Sequence, residues 1–549
     1  MTLTTTDWRK SAVYQIYPKS FYSPEGTATG TLRGVTAKLD YLAQLGVDYL
    51  WLTPVYASPQ RDNGYDVSDY YAIDPSYGTM ADFEELLAEA DKRQLSVMMD
   101  IVVNHCSTDH DWFKQGRHPE SPYHDYFIWR DEPTDWVSKF GGSAWSFDEV
   151  AGKYYLHLFD ETQADLNWEN PALREAVYQM MGFWRDKGVR GFRLDVINLI
   201  SKDRSFPNDP TGDGRLFYTD GPRVHDYLQE MNQRVFDGHD LMTVGEMSST
   251  TLDHCLRYSN TNEQELKMTF NFHHLKVDYP NGQKWTAAPF DFLELKRILS
   301  DWQVGMQGNA WNAIFWCNHD QPRVVSRFGD DTVYRVESAK MLATTLHGLQ
   351  GTPYIYQGEE IGTPNPDFTD MTDYRDVETL NVYEEKKAQG ADDEQILAAI
   401  RQKSRDNART PMQWDASTHG GFSTETPWIP VASNHTTINV EAALADPDSV
   451  FYHYQKLIQL RKRYDVLTNG WYHLLTPDDP SLWAYERTTD DEQLLVLSNF
   501  YGTTCSFTLP NEWLEHEVLL QNYPDLQIEA GCVTLRPYES VMLYQSLLA

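Results

Sequence analysis

Short apolar runs alternate with helical patterns along most of this chain. After a run at residues 13–17, apolar side chains recur every three or four residues as far as Gly46, and a second run follows at 49–52. Runs joined by amphipathic helices are typical of parallel strands with right-handed crossovers. The pattern predicts eight such strands, at residues 13–17, 49–52, 96–103, 191–196, 241–246, 267–272, 311–317 and 352–356. Eight parallel strands close into a (β/α)8 TIM barrel, so we expect an α/β fold.

Two parts of the chain depart from this alternation. Residues 105–170, after the third strand, are rich in Trp, Tyr, His, Gly and Asp and show no sustained period. A loop of that length is uncommon in a compact domain, so we expect a small inserted domain there. Beyond residue 470, short apolar strands separated by turn residues predict an antiparallel β domain. The expected division is a barrel at 1–104 and 171–470, an inserted domain at 105–170 and a C-terminal β-sandwich at 471–549.

A carboxylate lies at or near the C-terminal end of four of the predicted strands. The four are Asp100, Asp195, Glu246 and Asp320. In a barrel of parallel strands the C-terminal ends form the active-site face, so we expect these side chains to converge. Two carboxyl groups about 5–5.5 Å apart are the equipment of a retaining glycosidase. Any one of them alone is equally well explained as a helix cap in a βα loop, but the whole set favours catalysis.

Arg193 precedes Asp195 by two residues, and side chains alternate along a strand. Both should therefore point into the barrel mouth, where the guanidinium is expected to hold Asp195 ionised at neutral pH, which suits a nucleophile. Glu246 follows an apolar run that ends in Gly245. A poorly solvated site there is expected to raise the pKa of Glu246 and suit it to the role of the acid.

Four segments of this sequence resemble the signature segments of the α-amylase superfamily, glycoside hydrolase family 13. They read DIVVNH at 100–105, GFRLD at 191–195, GE at 245–246 and NHD at 318–320, in the family's order. QADLN at 163–167 resembles an additional segment at the end of the family's inserted domain. The resemblance covers essentially the whole chain, including the insertion and the C-terminal β domain.

The resemblance implies roles for individual residues. Asp195 would be the nucleophile, Glu246 the acid/base, and Asp320 a carboxylate that binds sugar hydroxyls in the transition state. It also implies a glucose subsite formed by Asp62, Tyr65, His105, Arg193, His319 and Arg409. In that subsite Arg409 would pair with Asp62 and close the pocket, which favours exo-action on a short substrate.

The segment at 270–285 resembles the trehalose-6-phosphate hydrolases of this superfamily, whereas oligo-1,6-glucosidases tend to carry Glu in place of His273. Val196, directly after Asp195, resembles members that act on α-1,6 linkages or small disaccharides. The segment places His273, Lys276 and Lys284 after the sixth strand, and such side chains bind phosphate well. We expect them to bind phosphate, with a solvated basic patch as the alternative.

The expected activity is that of a retaining exo-acting α-glucosidase that hydrolyses trehalose 6-phosphate to glucose and glucose 6-phosphate. An oligo-1,6-glucosidase acting on neutral sugars is the alternative, and a transglycosylating isomerase would share the same machinery. A non-catalytic superfamily member used as a structural subunit is disfavoured, because Asp195, Glu246 and Asp320 are all present.

Composition and net charge limit the classes of partner that the protein is expected to bind. The 549 residues carry a net charge of −35, which disfavours binding to nucleic acid or to an anionic membrane. The five cysteines are scattered without metal-ligand spacing, which favours reduced thiols in a cytoplasmic protein. We see neither a secretory signal nor an apolar run of the roughly 18 residues that a membrane span needs.

We therefore expect a cytoplasmic monomer that binds a small phosphorylated sugar and needs no cofactor. Many relatives in the resembled family hold a divalent ion in an Asp-rich loop after the first strand. Here that loop, residues 23–31, has Glu25 as its single carboxylate. Calcium takes six to eight oxygen ligands, several of them usually charged, so we expect no metal in this loop.

Overall fold

The computed structural model describes residues 7–262 and 264–548, and its centre is a ring of eight parallel strands. The strands are β1 (Val13–Ile16), β2 (Tyr49–Leu52), β3 (Ser96–Ile101), β4 (Gly191–Leu194), β5 (Met242–Glu246), β6 (Met268–Phe270), β7 (Ala313–Ile314) and β8 (Thr352–Tyr356). Each pairs with its neighbour in the order β6-β5-β4-β3-β2-β1-β8-β7. A parallel bridge between Thr269 and Asn312 joins β6 to the residue before β7 and completes the ring. The predicted barrel is confirmed.

Six strands are shorter than the sequence predicts, and the difference is at least two residues in β3, β4, β6 and β7. Strand β3 ends at Ile101, β6 spans three residues, and β7 spans only Ala313–Ile314. Beyond β7 the chain leaves the ladder, because the Phe315 carbonyl accepts a hydrogen bond from His274 Nε2 at 2.9 Å. An apolar run shows burial, but it does not show which backbone groups remain paired with the next strand.

Helices surround the barrel, and their ends follow ordinary capping rules. They span Leu32–Ala37, Leu39–Leu45, Met80–Asp91, Pro171–Lys187, Arg215–Tyr218, Val224–Met231, Leu252–Tyr258, Phe292–Met306, Val324–Phe328, Arg335–His347 and Val450–Arg463. The helix Met80–Asp91 starts with a capping box between Thr79 and Asp82. The helix Pro171–Lys187 has proline at its first position and ends at Gly188, whose φ of +117° a side chain would resist.

The segment between β3 and the helix at Pro171 folds into small sheets of its own. His105–Ser107 pairs with Gln163–Asp165, and a three-stranded sheet contains Trp129–Arg130, Lys153–Leu156 and Trp145–Asp148. A helix at Asp111–Gly116 completes this part. An outlying hairpin, Tyr56–Ala57 with Asp69–Ile73, lies between β2 and β3 in the chain.

After β8 the chain forms more helices and then a β domain. The helices span Val377–Ala388, Asp393–Lys403, Asp406–Arg409, Val440–Ala445 and Val466–Asn469. One sheet has strands Trp471–Leu474, Leu482–Thr488, Glu492–Asn499, Glu517–Gln521 and Ser540–Ser546, and the other has Cys505–Thr508, Gln527–Glu529 and Cys532–Leu535. Leu495 and Leu543 from the first sheet share a buried cluster with Val533 from the second.

The domain boundaries expected from the sequence stay a prediction, and residues 1–6, 263 and 549 within them lie outside the described residues. All five cysteines are free thiols. Within 7–262 and 264–548, no helix combines the length and apolarity required to cross a bilayer.

The same part of the chain shows no group of three potential metal ligands. In the loop after β1, the single carboxylate, Glu25, accepts a hydrogen bond from the Thr31 hydroxyl at 2.9 Å. The expectation that this loop holds no metal stays a prediction.

Candidate active site

Three of the four strand-end carboxylates line one cavity of about 330 Å³ at the C-terminal face of the barrel: Asp195, Glu246 and Asp320. Arg193 in β4 connects the first two. Its Nη1 lies 2.7 Å from Asp195 Oδ1 and 2.7 Å from Asp100 Oδ1, while its Nη2 contacts Glu246 Oε2. The parallel register explains this, since Arg193 pairs directly with Asp100 on β3. Two carboxylates that contact one guanidinium are held close together.

The electrostatics of Asp195 differ from the sequence prediction. Burial raises the pKa of Asp195, the Arg193 guanidinium opposes this rise, and the neighbouring Glu246 adds to it. Arg193 lowers the pKa of Asp195, as its charge predicts, but burial outweighs it and the net direction is upward, against the expectation that Arg193 holds Asp195 ionised. Two carboxyl groups crowded into one buried site cannot both be ionised easily. Burial of Asp195 and its closeness to Glu246 thus disfavour the ionised form of Asp195.

The turn after β4 is strained. Val196 has φ +36° and ψ +40°, a left-handed conformation that a β-branched residue adopts only under constraint. Such a conformation costs of order 1–3 kcal/mol. The turn brings the Val196 N–H to 3.2 Å from Glu246 Oε2, so the backbone as well as Arg193 holds this carboxylate.

Asp320 lies among positive charges and remains ionised. Arg409 Nη2 lies 2.7 Å and Arg405 Nη1 3.4 Å from its Oδ1. Burial alone raises the pKa of Asp320, but His319 and these arginines outweigh it and lower the pKa well below the usual range. Burial also lowers the pKa of His319 to about 3, so the arginines supply the permanent charge. The Tyr65 ring stacks on His319 with centroids 5.2 Å apart.

The arginine paired with Asp62 is Arg405 rather than Arg409, which corrects the expectation from the sequence. Arg405 Nη2 lies 3.3 Å from Asp62 Oδ1 and 2.6 Å from Asp376 Oδ1. The short helix Asp406–Arg409 separates the two arginines by one turn and directs Arg409 to Asp320 instead. Burial raises the pKa of Asp62 to about 7, although both arginines oppose the rise.

The other residues of the expected glucose subsite fall into two groups. Tyr65 and His105 line the cavity with Asp62, and the Tyr65 hydroxyl donates to Asp100 Oδ2 at 2.9 Å. Burial lowers the pKa of His105 to about 4, so its ring is neutral at pH 7. Arg193, His319 and Arg409 are at most 1% exposed and lie behind the lining. They hold the carboxylates that face the cavity.

Of the three residues expected to bind phosphate, the structure places two in the cavity lining and one outside it. Lys276 and Lys284 line the cavity. Lys284 Nζ, however, lies 2.8 Å from both carboxylate oxygens of Glu378, so its charge is already paired. His273 is absent from the cavity lining: its Nε2 lies 2.8 Å from the Thr250 carbonyl oxygen.

Besides Arg405, the sequence interpretation missed two cations that line the cavity, Lys139 and Arg215. Lys139 comes from the inserted segment, and its Nζ lies 3.1 Å from Ser248 Oγ. Burial lowers the pKa of Lys139 to about 8, and repulsion by Arg215 and Lys276 adds to the decrease. Both residues lie in segments without a periodic pattern, so the sequence does not predict where their side chains point. Arg215 Nη2 also lies 2.8 Å from Asp213 Oδ2, but this ion pair is exposed to solvent and therefore weak. Three cations that repel one another beside the carboxylates form a site suited to an anion.

Comparison with known proteins agrees with this geometry. The α-amylase catalytic domain family matches residues 15–470, and the C-terminal domain family of the α-amylase SusG matches residues 482–542. The chain belongs to the α-amylase family. As a member of glycoside hydrolase family 13 it is a glycoside hydrolase, and the predicted enzyme class is confirmed.

Relatives within the α-amylase family match the chain almost from end to end. The trehalose-6-phosphate hydrolase of Bacillus subtilis (strain 168) is 62% identical, with 98% of each chain covered. An oligo-1,6-glucosidase of Halalkalibacterium halodurans is 52% identical over 98% of this chain and 99% of its own. The crystal structure of the trehalose-6-phosphate hydrolase of Bacillus licheniformis has a TM-score of 0.95 and 57% identity, covering 98% of this chain and 99% of that one.

Proposed function

We propose that this enzyme hydrolyses trehalose 6-phosphate to glucose and glucose 6-phosphate with retention of configuration. The observation that carries the proposal is a single cavity whose lining combines Asp195 and Glu246 with Lys139, Arg215 and Lys276. The carboxylates supply the chemistry of glycoside cleavage, and the cations supply positive charge for a phosphoryl group. The relatives named trehalose-6-phosphate hydrolase support the same substrate.

In the first step Asp195 attacks the anomeric carbon of the unphosphorylated glucose ring. Glu246 gives its proton to the bridging oxygen, the glycosidic C–O bond breaks, and glucose 6-phosphate leaves. In the second step Glu246 takes a proton from water, whose oxygen attacks the same carbon and releases glucose from Asp195. Asp195 and Glu246 both contact Arg193, and two carboxyl groups held this close together suit the paired roles that retaining hydrolysis requires.

The glucose ring bound for cleavage would lie against Asp62, Tyr65, His105 and Asp320. Asp320 is ionised, and its charge stabilises the oxocarbenium-like transition state. Arg405 connects Asp62 with Asp320 from behind the ring. This arrangement accepts the end of a sugar rather than the middle of a chain, which agrees with exo-action on a disaccharide.

We assign the phosphoryl group to Lys139, Arg215 and Lys276, in place of the set expected from the sequence. A local cluster of cations is needed, because the protein as a whole carries a charge of −35 and repels an anionic substrate. Lys284 remains at the cavity wall but is paired with Glu378, and Glu378 in turn lies 3.6 Å from Arg405. Lys284 thus stabilises the wall instead of offering a free charge.

An oligo-1,6-glucosidase acting on neutral sugars is the second candidate, favoured by the 52% identity to the Halalkalibacterium halodurans enzyme. The test is to measure kcat/KM for trehalose 6-phosphate, trehalose and isomaltose with the same preparation. The proposal expects the phosphorylated sugar to be preferred by at least about a hundredfold, the effect of two or more charge-assisted hydrogen bonds. Equal or greater turnover of isomaltose would decide for the second candidate.

We further propose that the enzyme acts in the cytoplasm as a monomer, in the breakdown of trehalose. Five free thiols agree with a reducing compartment. The proposed domain division keeps the boundaries expected from the sequence, with the inserted domain at 105–170 supplying Lys139 to the cavity.

A further inference from the structure

A short turn of the inserted domain carries two cavity residues side by side. This turn, residues 138–143, presents Lys139 and Phe140. It is held internally by hydrogen bonds from Ser138 N to the Gly142 carbonyl at 2.9 Å and from Gly141 N to the Ser138 carbonyl at 3.0 Å. The Ser138 hydroxyl also donates to the Phe159 carbonyl at 2.7 Å. Because of these bonds, Lys139 and Phe140 must move together.

The two side chains face different partners. The Lys139 ammonium shares the cavity lining with Arg215 and Lys276, which repel it, while Asp213 and Glu246 attract it. The Phe140 ring lies under the Arg405 guanidinium, whose central carbon is 5.0 Å from the ring centroid, a cation–π contact. The turn thereby connects the anion site to the glucose subsite.

Arg405 links the turn to the carboxylates that face the glucose ring. The same guanidinium lies 3.3 Å from Asp62 and 3.4 Å from Asp320, the carboxylates that face the glucose ring. The Phe140 carbonyl also accepts a hydrogen bond from Asn381 Nδ2 at 3.5 Å, in the helix Val377–Ala388. Displacing the turn would remove the ring from Arg405 and leave the guanidinium freer to shift. Phe140 is thus a positioning residue.

We propose that an oxyanion bound by Lys139, Arg215 and Lys276 activates the enzyme by holding Phe140 against Arg405, so that free phosphite stimulates cleavage of neutral trehalose. The inference rests on the proposed function. Lys139 Nζ has Ser248 Oγ as a hydrogen-bond partner at 3.1 Å, while Arg215 and Lys276 repel its charge. An anion that contacts all three cations offsets that repulsion and adds an attachment that holds the turn in the cavity lining. Part of the binding energy of the phosphoryl group then appears in kcat and not only in KM.

The test adds sodium phosphite to the full-length enzyme with neutral trehalose as substrate. Ionic strength is held constant with sodium chloride, because general screening also weakens the repulsion. We expect a saturable increase in kcat/KM of about tenfold or more, the effect of roughly one charge-assisted hydrogen bond. Phosphite should also inhibit hydrolysis of trehalose 6-phosphate competitively, which reports its binding to the anion site.

The variant Phe140→Ala separates activation from binding. It should abolish the stimulation of trehalose cleavage while the competitive inhibition constant of phosphite stays within a few fold. Phe147→Ala, at an exposed position of the same inserted domain, is the matched control and should be stimulated like the wild type. Stimulation that persists in Phe140→Ala would overturn the route through Arg405.

The wild type alone can also refute the inference, whatever the variants do. Competitive inhibition by phosphite without any stimulation of trehalose cleavage would show that the anion binds but does not activate. Absence of both effects would show that phosphite does not bind to the three cations, which contradicts the proposed anion site. Failure of the proposed function has a different signature, namely that trehalose 6-phosphate is cleaved no better than trehalose.

Discussion

Arg193 Nη1 lies 2.7 Å from Asp195 Oδ1, within a single strand and two residues apart in sequence. The other terminal nitrogen of Arg193 contacts Glu246 on the neighbouring strand. One buried guanidinium therefore holds the two carboxyl groups close together and favours the ionised form of each.

Asp195→Asn and Glu246→Gln should each lower the turnover of trehalose 6-phosphate by about 10⁴-fold, but for different reasons. With a nitrophenyl α-glucoside, whose leaving group needs no proton, Glu246→Gln should still form the glucosyl-enzyme. Rapid-mixing measurements should then show a burst of nitrophenol in Glu246→Gln and none in Asp195→Asn. The exposed Asp490→Asn is the control. A burst in Asp195→Asn instead would reverse the two roles.

Removing cations from the anion site should change the choice of substrate. For each of Arg215→Gln and Lys276→Gln we expect kcat/KM for trehalose 6-phosphate to fall about tenfold or more, since each substitution removes a charge-assisted hydrogen bond. The kcat/KM for neutral trehalose should change less than about threefold, because this substrate has no phosphoryl group for these cations to contact. Arg257→Gln, which removes an exposed arginine outside the cavity lining, should alter neither value. An equal loss on both substrates would mean that these residues serve folding or catalysis and not phosphate recognition.

Glu359 should make the stability of the protein depend on pH. Burial raises the pKa of Glu359 to about 8 in the folded state, despite the hydrogen bond from the Tyr454 hydroxyl at 2.7 Å. The unfolded value is about 4.3, so the folded protein holds this proton more tightly. The stabilisation is complete below about pH 4.3 and is lost as the pH rises to about 8.

Thermal unfolding between pH 6 and pH 9 measures this loss of stability. One such group corresponds to a decrease of up to about 1.4 kcal/mol in the free energy of unfolding per pH unit below pH 8. Glu359→Gln should flatten the dependence of Tm on pH, because the amide cannot ionise. The same slope in wild type and Glu359→Gln would show that Glu359 does not carry the proton.

The strand ends could be predicted from the sequence because two simple regularities agree there. Apolar runs such as 191–194 mark buried parallel strands, and a charged residue is costly at a buried strand end unless it serves a site. Asp195 and Glu246 can therefore be identified from the sequence alone. The direction of the pKa shift of Asp195 cannot be predicted from the sequence. It depends on burial and on Glu246, which lies 51 residues further along the chain.

The cations around the cavity were harder to predict. Lys139 and Arg215 belong to segments without a period, and only tertiary packing brings them beside Lys276. Lys284 has the expected position but is paired with Glu378, a contact between segments 94 residues apart. The exchange of Arg405 for Arg409 is a matter of one helical turn, which sequence spacing does not resolve. Long-range pairing is what the sequence leaves open.

The anomeric form of the first glucose released tests the central claim most directly. Proton NMR of freshly mixed enzyme and trehalose 6-phosphate distinguishes α-glucose from β-glucose before mutarotation mixes them. Attack by Asp195 followed by water predicts that α-glucose appears first and that β-glucose accumulates only at the rate of spontaneous mutarotation. Initial release of β-glucose would contradict the account, because it would mean a single displacement by water with no glucosyl-enzyme at Asp195.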